Sequence, residues 1–143
     1  MGTNGNTKKL LIKDLCSRLP YGVKVQHVLS QIPLEILSIN PNGVTWVTGD
    51  KGYPFEVDWN NCKPYLFPLS SVTEEQKNEL EDMEWSFDNS TVCNILECFG
   101  TYRAYVDHSC CSELVDWFHK NHIDYRGLIP MGLANDATGL NIY

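Results

Sequence analysis

The chain has 143 residues, of which 43% are hydrophobic and 11% aromatic, enough for one core, so a single domain spanning 1–143 is expected. A formal charge of −7 opposes general nucleic-acid binding, because displacing counterions from a phosphate backbone takes a Lys/Arg-rich face. No run of about 18 apolar residues occurs, and Leu10-Leu11-Ile12 is too short for the apolar core of a secretory signal, so neither a membrane span nor export is expected and the cytoplasm is the expected location.

Residues 1–9 are polar and are expected to be disordered. Leu11, Ile12, Leu15, Cys16 and Leu19 then recur at helical spacing, and Pro20 and Gly22 stop the helix. From 22 to 67 the period changes to two. Val23, Val25, His27 and Leu29 alternate with polar residues, Ile32, Leu34, Ile36 and Leu37 lead to a turn at Asn42-Gly43, and Val44-Thr45-Trp46-Val47-Thr48 is rich in β-branched residues. A turn over Gly49–Gly52 and two further short strands follow, with Pro33, Pro54 and Pro64 expected at strand starts, bulges or edges. Thr73 with Gln76 three residues on, and Glu74 and Glu75 between them, reads as a capping box opening a helix whose buried stripe is Leu80, Met83 and Phe87. Residues 88–108 read as a second hairpin, although Cys93–Cys98 also passes as a helical turn. Asp107 or Ser109 opens the last helix, with Leu114, Trp117 and Phe118 on its apolar face and Asn121 as its C-terminal cap. The tail beyond it, punctuated by Gly127, Pro130, Gly132 and Gly139, is apolar enough to dock on the core. The pattern is α+β: a small antiparallel β-sheet or partial barrel packed against two to three helices.

Six cysteines without an export signal are expected to be free thiols. Cys93, Cys98, His108, Cys110, Cys111, His119 and His122 are residue types that ligate zinc, but Cys-x4-Cys and His-x-Cys-Cys match no common zinc spacing. The bland reading is thiols packed as small hydrophobes, and no metal is expected. A Cys/His nucleophile could be built from Cys110 or Cys111 with His108 or His119, yet no flanking motif supports it, so the chain leans away from being an enzyme. Gly127–Gly132 lacks the Lys-Ser/Thr of a phosphate loop, and no cofactor is expected. For ligand binding the candidates are Trp59, set in polar Asp58-Trp59-Asn60-Asn61, Tyr65 in an aromatic-rich β segment, and Arg126, which could clamp an anion or equally pair with a neighbouring carboxylate.

Three blocks, Ile12–Val23, Lys63–Gln76 and Asp116–Ala134, together resemble a family of uncharacterised small proteins encoded by phages and integrated mobile elements of gut Bacteroidales. The resemblance implies a phage or prophage setting and the host bacterial cytoplasm, and it carries over no functional residue. The expected function is therefore a non-enzymatic interaction protein that binds a host macromolecule, such as a host protein, or a small signalling ligand, with counter-defence as one role it could serve. The alternative is a zinc-stabilised or Cys/His-dependent enzyme centred on residues 93–122.

Overall fold

The computed structural model of the chain describes residues 5–28, 30–40, 44–49, 52–82 and 112–143. Helix α1 runs from Gly5 to Arg18 and tightens into a 3-10 turn over Leu19–Tyr21. Gly22 closes the turn at φ 73, a left-handed conformation that costs glycine nothing, and its N–H donates to Leu19 O. Residues 5–9, expected to be disordered, are instead the first turns of α1.

Five strands follow: β1 (Lys24–His27), β2 (Leu34–Ile39), β3 (Thr45–Thr48), β4 (Pro54–Val57) and β5 (Cys62–Pro68). Helices α2 (Glu74–Asp82) and α3 (Ser112–Lys120) come next, then two-residue strands β6 (Ile123–Asp124) and β7 (Asn135–Asp136). The α+β class expected from the sequence is therefore found, built on an open sheet ordered β4-β3-β2-β1-β5-β6, with β7 also paired to β5. Neighbours from β4 to β5 are antiparallel, whereas β6 and β7 add in parallel, which makes the sheet mixed. The hairpin turn at Asn42-Gly43, the residues Met83 and Phe87, the expected hairpin over 88–108 and the helix starts at Asp107 or Ser109 lie outside the described residues.

Alternation along the strands decides the core. Val25, Leu34, Ile36, Val47, Val57 and Cys62 point to one face and meet Leu11 and Leu15 of α1. A second cluster joins Leu66 of β5 to Leu128, Leu133 and Ala134 of the tail, with Leu10 and Ile129 packed alongside. The tail is thus docked, although Met131 and Leu140 remain exposed. Pro54 opens edge strand β4, where its missing donor costs no ladder bond. Pro64 pairs with Val25 of β1, and β5 takes up β7 and β6 only from Tyr65 onward, so proline stands where the other side of β5 has no strand partner among the described residues.

The capping box forms as its residues predict: Thr73 N–H donates to Gln76 Oε1 at 2.9 Å and Gln76 N–H to Thr73 Oγ1 at 3.2 Å. Asn121 closes α3, its side-chain amide donating to Trp117 O at 2.9 Å. Trp117 Nε1 donates to Glu79 Oε1 at 3.0 Å, which ties α3 to α2.

Candidate functional site

A buried polar junction holds α1, α3 and the start of the tail together. Asp14 and Arg18, one turn apart on α1, are both fully buried, and Arg18 Nε donates to Asp14 Oδ2 at 2.9 Å. The other carboxylate oxygen accepts from Arg126 Nε at 3.0 Å, and Arg18 Nη2 donates to Ile123 O at 2.7 Å. Both guanidinium groups lie over the Tyr125 ring, 5.6 Å from its centroid for Arg18 and 4.8 Å for Arg126, and that ring stacks on Phe118. Its hydroxyl is 2.9 Å from His119 Nε2. Burial, reinforced by Arg18, lowers the His119 pKa to about 4, so the imidazole is neutral at pH 7. Asp124 turns the chain by accepting from the amides of Leu128 and Ile129, and burial raises its pKa despite those bonds. These groups are committed to one another. Their role is to fix the end of α3 and the segment that follows.

That segment forms one wall of a cleft of about 490 Å³, within the range of small-ligand sites. Lys120, Asn121 and His122 contribute from the end of α3, Ser71, Thr73 and Gln76 from the entry to α2, Phe67 from β5, and Thr138, Gly139 and Tyr143 from the tail. Lys120 is the single formally charged side chain among the described residues lining it, and it is exposed. Several polar groups retain bonding capacity. Asn121 spends its amide on Trp117 O and its carbonyl oxygen has no partner among the described residues, while Gln76 spends its carbonyl oxygen on Thr73 N–H and its amide has none among them. Thr73 and Gln76 bring the N-terminal end of α2 to this side, where the positive end of the helix dipole faces the cleft and the Glu74 and Glu75 side chains of the first turn partly offset it.

His122 is the unusual residue of this wall. Its φ of 56° is left-handed, a conformation that costs a side-chain-bearing residue roughly 1–2 kcal/mol and that glycine or asparagine normally takes at a helix end. The surroundings hold it there: its N–H donates to His119 O, its carbonyl accepts from Phe67 N–H at 2.8 Å, and its ring stacks on Tyr143 at 3.5 Å and 11°. Burial, with Arg18 and Lys24 nearby, lowers its pKa to about 4, and its Nδ1 is buried without a partner among the described residues. Tyr143 is 41% exposed overall, yet its hydroxyl is held between strands, accepting from Lys24 N–H and donating to Tyr65 O, both at 2.8 Å. Burial at that end pushes the phenol up to about 12.

The ligand candidates read from the sequence do not share one site. Trp59 is buried in the main core, on a 3-10 turn over Trp59–Asn61 that Asp58 caps by accepting from Asn60 N–H; the polar neighbours that suggested an open loop are the cap. Tyr65 is half-buried and touches the Tyr143 hydroxyl through its own carbonyl. Arg126 takes the carboxylate-pairing option, on Asp14. Of the zinc-type residues, Cys93, Cys98, His108, Cys110 and Cys111 lie outside the described residues. His119 and His122 are engaged separately, one on Tyr125 and the other on Tyr143, and no metal-holding cluster occurs among the described residues. Cys16 is an exposed free thiol, and Cys62 a buried one whose pKa burial raises to about 11. No helix among the described residues is long and apolar enough to cross a membrane.

Sequence reasoning missed Lys120 and Tyr143. The signal for Lys120 was its place in the last turn of a helix followed by polar Asn121 and His122, and nothing local marked Tyr143. Comparison with protein-family models, curated proteins and solved structures returned no match.

Proposed function

We propose that the protein is a non-enzymatic binding protein that holds a small phosphate-bearing molecule of about nucleotide size in the cleft beside His122. The observation that carries this reading is the cleft's polarity: in a chain of net charge −7, the one charged side chain on its described walls is cationic Lys120, beside the amide end of α2. A lysine ammonium and the N-terminal end of a helix are groups that recognise a phosphoryl oxygen. The Asn121 carbonyl and the Gln76 amide supply an acceptor and a donor for the rest of the ligand, and His122, neutral at pH 7, adds no charge. The chain's acidity favours a single small anion over a nucleic-acid polymer. The resemblance of the three sequence blocks supports a phage or mobile-element setting in a host cytoplasm, where such a molecule would be a host signal.

The test is titration of isotopically labelled protein with AMP and with inorganic phosphate, followed by NMR. Saturable shifts centred on Lys120, Asn121 and His122 are expected, and a spectrum unmoved by either probe at millimolar concentration rejects the reading. A second reading, docking of a host protein, draws on the exposed apolar residues at the β3–β4 end, Val44, Trp46, Tyr53 and Phe55, of which Tyr53 is 79% exposed. Substituting Trp46 and Tyr53 by serine and comparing capture from host lysate separates the two, because the cleft reading expects no effect on AMP.

A further inference from the structure

Beside the cleft at His122 lies a second one, of about 480 Å³, against Lys24, Glu35 and Thr48. One short piece of tail separates them: Gly139 and Tyr143 face the first cleft, and Leu140, Asn141 and Ile142 face the second. This piece is held differently from the chain just before it. Ala137 is buried and its N–H donates to Leu66 O at 2.8 Å, so the tail is fixed to β5 up to that point. Beyond it, Leu140 is 52% exposed and Asn141 is exposed. Gly139, at φ 78 with open space where a Cβ would stand, is a natural hinge, and Asn141, at φ 53, holds a second left-handed conformation that release would relax.

What closes the piece is Tyr143, assisted by a bond from Lys24 Nζ to Ile142 O at 2.8 Å. The backbone register of β1 with β5 ends at Val25 and Pro64. Just beyond, the Tyr143 hydroxyl lies between the Lys24 N–H and the Tyr65 carbonyl and stands in for the next ladder bond. Opening would leave those two groups to water at the sheet surface and would disturb no residue of the main core cluster.

We infer that Gly139–Tyr143 is a strap latched by the Tyr143 hydroxyl and ring, which swings open about Gly139 independently of the core and joins the two clefts into one continuous groove. The open form admits a ligand longer than either cleft holds alone.

Hydrogen exchange read residue by residue tests this on the intact chain. In Tyr143→Phe, which keeps the ring and removes the hydroxyl, exchange of the Lys24 amide should rise at least tenfold while the Val25 and Val47 amides change less than twofold. A Lys24 amide as protected as before, or strand amides that rise with it, overturns the proposal. The unmodified protein supplies an independent reading should the variant fold poorly. In low denaturant the Lys24 amide should exchange through an opening with little denaturant dependence, and a slope equal to that of global unfolding contradicts a separate strap.

Discussion

Removing the Asp14 carboxylate is the sharpest perturbation of the scaffold that carries the cleft. In Asp14→Ala, Arg18 stays fully buried and, among the described residues, keeps one hydrogen bond, to Ile123 O, while its Nη1 already lacks a partner there. Arg126, whose side chain is 10% exposed, can turn toward water, so the unpaired charge falls chiefly on Arg18. Stranding one member of a buried pair typically costs about 3–5 kcal/mol. At roughly 3 °C per kcal/mol for a chain of this size, thermal unfolding followed by circular dichroism should fall by about 10–15 °C. Replacing both partners, as Asp14→Leu with Arg18→Met, should recover most of the loss, because two apolar side chains leave no charge unsatisfied. A single variant that melts within about 2 °C of the parent would refute the argument, as would a double variant no better than the single.

Acid should destabilise the protein through its histidines. His119 and His122 titrate near 4 when folded and near 6.5 when unfolded, so between those values the unfolded chain takes up protons that the folded one refuses. Their contribution is present above pH 6.5 and is lost as pH falls toward 4, at most roughly 3 kcal/mol for buried His119, while Asp124, with its raised pKa, works in the opposite direction. Melting temperatures measured from pH 7.5 to 4.5 should fall, and should fall less in His119→Gln; a flat profile contradicts the assignment. His122→Gly should relieve about 1 kcal/mol of left-handed strain while losing the stack on Tyr143, leaving unfolding within about 1 kcal/mol of the parent but weakening AMP binding. A large stability loss with binding intact would make His122 a purely structural residue.

Local chemistry made much of the fold legible. The Thr73–Gln76 box, the stop at Pro20 and Gly22, and the alternation from Val23 to Leu66 each express a rule acting over a few residues, and each appears in the structure. What escaped depends on distant partners. The helical spacing of apolar residues did not single out Asp14 and Arg18, although Leu11, Asp14, Leu15 and Arg18 share the i, i+3, i+4, i+7 face that is buried; Arg126, 112 residues from Asp14, completes the pairing that lets a carboxylate sit there. β6 and β7 are two residues long, too short for any periodicity, and exist because β5 offers them an edge. The cleft was hidden for the same reason, since its walls come from four separate parts of the chain.

Under the proposed function, Lys120 gives the cleft its affinity for a phosphate-bearing ligand. The direct measurement is calorimetric titration of AMP into the protein and into Lys120→Ala, at low and at moderate salt. The parent should bind more weakly as salt rises, and Lys120→Ala should bind at least tenfold more weakly with its melting temperature unchanged, because the exposed ammonium has no bond to lose among the described residues. Equal affinity in the two proteins would contradict it.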